Sequence, residues 1–396
     1  MLYLASAAFA GAVAVWADIP QFREWGRVAT IPYALGAVAA AVLIRRAGAL
    51  RARWVVAGAV FLAAAILPLT LEVVWRAHTA PGLHAQSEVI VTEEAARVLA
   101  NGRDPYAETY VHGPLEARPV PTKTHFPYLP GMLAFGLPRA LDGNGPVTDA
   151  RWWFALAAIG VAARAIRRGR LRPEAALRTW QMLLVLPTGA LLMATSGDDL
   201  PVLALLLLAL VLLPDRPGWS GAALGLACAM KQTAWVLVPF LVLASGRRRR
   251  TGVAAAAVVT PMAAWFLLWH PAAFVEDTIK FPLGLGAGPS AAGTATPGAI
   301  LADVLPGGAA VVTAILGIAV VGIAGWLLRK RPWPKADGAA RSAAVVWAVL
   351  FLLAPVARVG YAVYPINLLM WSIALWPNVS SSAEGSTVSI AGSVSS

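Results

Sequence analysis

The sequence predicts an all-α, polytopic transmembrane helical bundle, and three observations carry that prediction. Of 396 residues, 59% are apolar and only 13% charged, a balance foreign to soluble globular proteins. Apolar runs of roughly 17 to 25 residues recur along the chain, the length a helix needs to cross the hydrocarbon core. The basic residues gather between those runs, in RRAGALRAR (45–53), RAIRRGRLR (164–172), RRRR (247–250) and RKRPWPK (329–335). Placed so, the net charge of +12 reads as the positive-inside signature of cytoplasmic loops, and no nucleic-acid partner is expected. One domain is expected over 1–378, with a disordered Ser-rich cytoplasmic tail at 379–396.

Taking the basic segments as cytoplasmic orders the elements. The opening MLYLASAAFAGAVAVWA lacks a positive n-region and reads as a retained first span near 2–17, its N-terminus cytoplasmic, rather than a cleaved signal. A span near 28–44 returns to RRAGALRAR, and one near 54–76 exits into the longest hydrophilic segment, an outer loop at about 77–130. Residues 131–141 (GMLAFGLPRAL) are short for a crossing and suit a re-entrant segment. Spans at 150–166 and 175–195 lead in and out to the turn SGDD (196–199), and 200–213 returns. In GWSGAALGLACAMKQTAWVLVPFLVLASGRRRR (218–250), two apolar halves of about twelve residues flank Lys231-Gln232, either a hairpin of short helices or one long span. A span at 251–269 exits to a Gly/Pro/Ala-rich outer loop, 270–306, with no evident secondary structure. Spans at 308–328, 339–356 and 361–377 complete about 11–13 membrane segments.

Acidic residues are biased the other way. Of twenty, only Glu174, Asp215, Asp337 and Glu384 fall in loops read as cytoplasmic, so any chemistry is expected on the outer face. The lone Cys228 excludes a disulfide framework or thiolate metal site. Five scattered histidines predict no metal cluster, and no cofactor is expected, although the outer acids leave room for a divalent ion. No HExxH, P-loop or GxSxG motif is present.

The candidate residues lie at the outer ends of the spans. In SEVIVTEEAARVLANGRDPYA (87–107), Val91, Ala95 and Val98 share one helical face, while Glu93, Glu94 and Arg97 can reach water. This predicts an interfacial amphipathic helix with Glu88 at its start, closed by Asn101-Gly102 and an Asp104-Pro105 turn. The bland alternative makes its acids a solvated face and Glu88 a charge that favours a helix N-terminus. His125 and Tyr128, in KTHFPYLPGM (123–132), are interfacial anchors or substrate contacts. Asp198 and Asp199 put more charge into SGDD than a turn requires. Lys231 lies at depth between apolar halves, where a cation needs a polar cavity or a counter-charge. Arg358 stands between two spans, with Tyr361 and Tyr364 one turn apart.

An outward carboxylate above cationic groups suits transfer of a sugar from a polyprenyl-phosphate lipid to an acceptor hydroxyl. The phosphate leaves as a stable anion, so one base and a cation for the leaving group suffice. The order of these features resembles the GT-C superfamily of polytopic glycosyltransferases. It is most similar to family 87, the polyprenyl-phosphate-mannose-dependent mannosyltransferases of actinobacteria. Glu88 followed by AARVLANGRDPY (95–106) resembles the family's loop acid and AA…LL.G.DPY stretch. Tyr128-Leu129-Pro130 resembles its Tyr-Pro-Pro re-entry, Ser196 to Asp199 its outer polar turn, and GAALGLACAMK (221–231) its glycine-rich approach to a lysine. The likeness covers about 70–250, and the C-terminal spans only by hydropathy.

Three departures stand out. Glu88 replaces an aspartate, Gly197-Asp198-Asp199 replaces Gly-Gln-x-Asn, and Lys231-Gln232 replaces Lys-Pro. The resemblance implies an inverting glycosyltransferase of the cytoplasmic membrane with its site outside and Glu88 as base. Asp198, Asp199, His125, Tyr128, Asp104 and Tyr106 are then expected to contact substrate. Lys231, Arg358 and Tyr361 are expected at the donor phosphate, and the acceptor is a lipid or glycan. A non-catalytic flippase or transporter of lipid-linked sugars is the alternative, and it would place its charges nearer the midplane.

Overall fold

The computed structural model describes residues 1–44, 50–118, 123–169, 171–286, 294–329 and 335–374. The Ser-rich tail, 330–334 of RKRPWPK, 45–49 of RRAGALRAR and the middle of the 270–306 loop lie outside them. Six described helices are long and apolar enough to cross a membrane: Pro20–Leu43, Leu50–His78, Pro173–Thr195, Arg248–Trp269, Gly308–Arg329 and Ala336–Leu353. Leu2–Trp16, Asp199–Leu212 and Gln232–Ala244 are shorter apolar helices, joined by Ala150–Arg168, Pro217–Met230 and Val363–Ala374. No β-strand occurs among the described residues. The helices follow the order of the apolar runs read from the sequence.

Local chemistry explains the interruptions. Pro187 pushes Leu186 into extended backbone (ψ 164°), because a proline disfavours helical geometry at the residue before it. Asp149 caps Ala150–Arg168 by accepting from the Arg151 amide.

The stretch around Lys231 is a hairpin. Lys231 is extended (φ −153°, ψ 139°) between Pro217–Met230 and Gln232–Ala244. Gly218, Gly221 and Gly225 face Arg250, Thr251 and Ala255 in the same order, so Pro217–Met230 and Arg248–Trp269 run parallel. The helix between them must therefore return, although the two legs splay and pack on other neighbours. Its first leg has 14 residues, about 21 Å of helix against a hydrocarbon core of about 30 Å. Lys231 is thus carried at the apex of a leg shorter than a full crossing. Glycine at 221 permits the parallel packing, since a Cβ there would overlap the Thr251 carbonyl. Gly221→Ala is expected to lower stability by about 1–3 kcal/mol through that overlap, read as a drop in melting temperature of the detergent-solubilised protein.

Two loop expectations are corrected. The helix Ser87–Ala100 forms as expected, but it is not half-immersed: Val89 to Glu93, Ala95, Ala96 and Val98 are all buried. Glu93, expected in water, is 1% exposed and accepts from Arg76 Nη1 (3.1 Å) and Nη2 (2.7 Å) and from the Ala150 amide (3.0 Å). Arg139 Nε approaches it at 3.3 Å. Arg76 also donates to Asp149 Oδ2 (2.8 Å), which Arg151 grips with Nε and Nη2. Burial alone would raise the Asp149 carboxyl, but Arg151 and Arg76 outweigh it and hold it below the usual carboxylate range.

The 270–306 loop is not structureless either. It carries Pro271–Val275, turns over Glu276–Lys280 and Phe281–Leu283, and the helix Pro297–Val304. Thr296 caps that last helix by accepting from the Ala299 amide, with Pro297 at its first position. Residues 131–141 form two six-residue pieces, Pro130–Phe135 and Leu137–Asp142, as short as their sequence suggests.

Candidate functional site

Glu88 sits in the first turn of Ser87–Ala100. The start of that helix is fixed by Gln86, whose amide donates to the Thr195 carbonyl (3.2 Å) and whose Nε2 donates to Thr195 Oγ1 (3.3 Å). Arg358 precedes the turn Val359–Ala362, between Ala336–Leu353 and Val363–Ala374. The bundle brings these distant residues together: Arg358 Nη1 forms an ion pair with Glu88 Oε1. The Arg358 side chain is 34% exposed and that of Glu88 13%, so the pair is not sealed within the bundle.

A second constellation adjoins it. Lys231 Nζ donates to Asp198 Oδ2 (2.7 Å) and Asp199 Oδ1 (2.6 Å). Tyr364 Oη also donates to Asp199 Oδ1 (2.6 Å) and accepts from Thr233 Oγ1 (2.8 Å), while its ring stacks on Trp347. The rings of Tyr128 and Tyr361 lie over the ammonium, centroids 5.3 and 5.6 Å from Nζ. The turn works because Gly197 adopts φ 82° against Phe154, which sets Asp198 and Asp199 at the start of a helix. Negative charge is favoured there.

Lys231 is therefore already paired with two carboxylates. A buried ammonium needs counter-charge, and SGDD supplies it twice over. Tyr361 links the two groups, since its amide donates to the Arg358 carbonyl (2.9 Å) while its ring covers Lys231.

Three other candidates stand apart from this convergence. His125 Nδ1 bonds Asp277 Oδ1 (2.7 Å), the Phe126 amide donates to Asp277 Oδ2 (2.8 Å), and the imidazole stacks on Phe281. Burial raises the Asp277 carboxyl above its usual range, opposed by these bonds. Asp104 accepts from the Tyr106 amide (3.0 Å) and pairs with His270 Nδ1 (2.8 Å). Tyr106 donates to the Tyr128 carbonyl (2.9 Å) from among Phe126, Phe266 and Phe274. These residues tie the loops to the bundle, and through Tyr106 the Asp-Pro-Tyr turn fixes the backbone of Tyr128 beside Lys231.

The sequence reading missed His270, Asp277, Glu93, Arg76, Asp149 and Arg151. Arg76, Arg139 and Arg151 carried a signal, because they fall outside the basic segments and had to find acids elsewhere. An open cavity of about 870 Å³ lies at the base of the hairpin among Gly218, Trp219 and Arg247 to Arg250. That is the far end of the leg from Lys231, so it is not this site.

The family model of glycosyltransferase family 87 matches residues 126–357. That stretch contains Tyr128, Asp198, Asp199 and Lys231, begins after Glu88 and ends one residue before Arg358. It starts later and runs further toward the C-terminus than the resemblance seen in the sequence. The fold is similar to that of ArnT from Cupriavidus metallidurans, solved bound to undecaprenyl phosphate, with a TM-score of 0.50 and 16% identity. The likeness covers 81% of this chain and 59% of that one, so this chain spans little more than half of that protein's length. No curated protein matches the sequence.

Proposed function

The chain belongs to glycosyltransferase family 87, a GT-C family, and from that membership we propose that it transfers a sugar from a polyprenyl-phosphate lipid to a hydroxyl of a lipid or glycan acceptor. The sugar is mannose or another hexose or pentose, and transfer takes place with inversion on the outer face of the cytoplasmic membrane. The observation that carries this reading is the accessible Glu88–Arg358 pair at the loop end of the bundle. One carboxylate and one cation in contact are the two groups the reaction needs. The undecaprenyl phosphate bound by ArnT supports the donor class, and the basic segments at the opposite end of the bundle support the orientation.

The acceptor oxygen attacks the anomeric carbon opposite the phosphate. Its proton passes to the Glu88 carboxylate, the new C–O bond forms, and the bond to the phosphate oxygen breaks with its electron pair. Arg358 then carries the charge of the departing polyprenyl phosphate. Donor entry separates the two side chains, leaving the carboxylate to the acceptor and the guanidinium to the phosphate. Lys231, already paired, acts as a positioning residue: it holds Asp198 and Asp199, the carboxylates best placed to orient sugar hydroxyls.

The test is transfer by the protein reconstituted in proteoliposomes with a polyprenyl-phosphate-linked mannose labelled in the sugar. Arg358→Gln is expected to lower kcat/KM for the donor by about 10²-fold or more. Labelled sugar crossing the bilayer with no covalent product would support the transporter instead.

A further inference from the structure

Apart from Glu88 and Arg358, three side chains with metal-ligating atoms meet at the loop end of the N-terminal helices. Glu24 comes from the first turns of Pro20–Ile44, Glu72 from the last turns of Leu50–His78, and His84 from the segment before Ser87–Ala100. One ligand atom from each lies within 4.8 Å of the others. His84 Nδ1 stands 3.3 Å from Glu24 Oε2 and 3.3 Å from Glu72 Oε2. Ligands about 2.1 Å from a tetrahedral ion are about 3.4 Å apart, so the three atoms are already near the spacing an ion requires.

Three independent observations point to a ligand here. The Glu72 side chain is 1% exposed, and apart from Glu24 and His84 themselves nothing satisfies its oxygens. A buried ionised carboxylate is costly unless a cation or hydrogen bonds satisfy it. Next, His84 is the one non-glycine with positive φ (54°) among the described residues, a strain that persists only where the surroundings enforce it. Enforcement is visible: Arg151 Nη1 donates to the His84 carbonyl (2.7 Å), and Arg118 Nη2 donates to the carbonyls of Gly82 (2.6 Å) and Ala85 (2.8 Å). The imidazole is thereby aimed at the two carboxylates. Finally, an opening of about 350 Å³ lined by Glu24, Arg27, Trp75, Thr79 and His84 gives the cluster a path to solvent.

We infer that Glu24, Glu72 and His84 bind one divalent transition-metal ion of the zinc or manganese class. Two carboxylate oxygens and one imidazole nitrogen make a mixed hard and borderline donor set, with the remaining positions open to water from the opening. The ion would take one oxygen from each glutamate and one ring nitrogen from His84, and its positive charge would offset that of the two carboxylates. The ion ties two membrane helices to the segment that leads into the Glu88 helix, a structural role separate from the transfer chemistry.

Calorimetric titration of the EDTA-stripped, detergent-purified chain with ZnCl2, and separately with MnCl2, tests this directly. One ion per chain is expected, with a melting temperature that rises once the ion exceeds its Kd. Glu24→Gln changes a partly exposed ligand, and His84→Asn substitutes a residue that tolerates positive φ. Each is expected to weaken binding by at least about tenfold, while the stripped variants melt close to the stripped wild type. Failure of the stripped wild type to bind either ion overturns the inference, as does unaltered affinity in both variants. Because the readout is binding, the outcome does not depend on the proposed sugar transfer.

Discussion

Glu88→Gln is expected to abolish nearly all sugar transfer, by about 10² to 10⁴-fold in kcat, the range a positioned general base contributes. The amide keeps the size of the side chain and an acceptor for Arg358, but it cannot take the acceptor proton. Donor binding, which rests on Arg358, is expected to change little, so the loss falls on kcat rather than KM. Glu88→Asp keeps the carboxylate but withdraws it by one methylene, and it is expected to fall between glutamine and wild type. Wild-type turnover by Glu88→Gln would remove Glu88 from the chemistry.

Lys231→Met is expected to have the largest effect on stability. It strands Asp198 and Asp199 at 2% and 6% exposure with no cation between them. Removing one partner of a buried ion pair costs about 3–5 kcal/mol, and here the two remaining charges also repel. The expected reading is a large fall in melting temperature together with loss of transfer. Adding Asp198→Asn and Asp199→Asn to Lys231→Met is expected to recover most of the stability while transfer stays low. A triple variant no more stable than Lys231→Met would mean that electrostatic balance is not what holds this apex together.

Much of this was legible in the sequence, for identifiable reasons. Helix positions follow from apolar run length and from the basic segments, both of which are local properties. Glu88, Asp198, Asp199, Lys231, Arg358 and Tyr361 stand out individually because charge or aromatic bulk next to apolar runs is conspicuous. Their pairing was not legible, because Glu88 meets Arg358 only where the segment joining the last two helices comes beside the start of the loop helix. The wet face assigned to Glu93 failed for a related reason: helical periodicity says which residues share a side, not what covers that side. Five residues at about 100° each turn Glu93 about 140° from Glu88, toward Arg76 and Arg139 rather than water. In the 270–306 loop, Thr296-Pro297 was a readable helix start, overlooked among the glycines and prolines around it. The His125–Asp277 bond, by contrast, leaves no trace in either local sequence.

The Glu93 network has a consequence for how the protein comes apart. Its carboxylate is bonded to Arg76, near the end of the helix before the loop, and to the Ala150 amide, at the start of a helix after it. The segment between is closed into a ring by polar bonds that only the complete ring satisfies. Opening it exposes Arg76, Glu93 and Asp149 together, so loop and bundle belong to one cooperative unit rather than to a soft cap on a hard base. Glu88, five residues earlier on the same helix, inherits that rigidity.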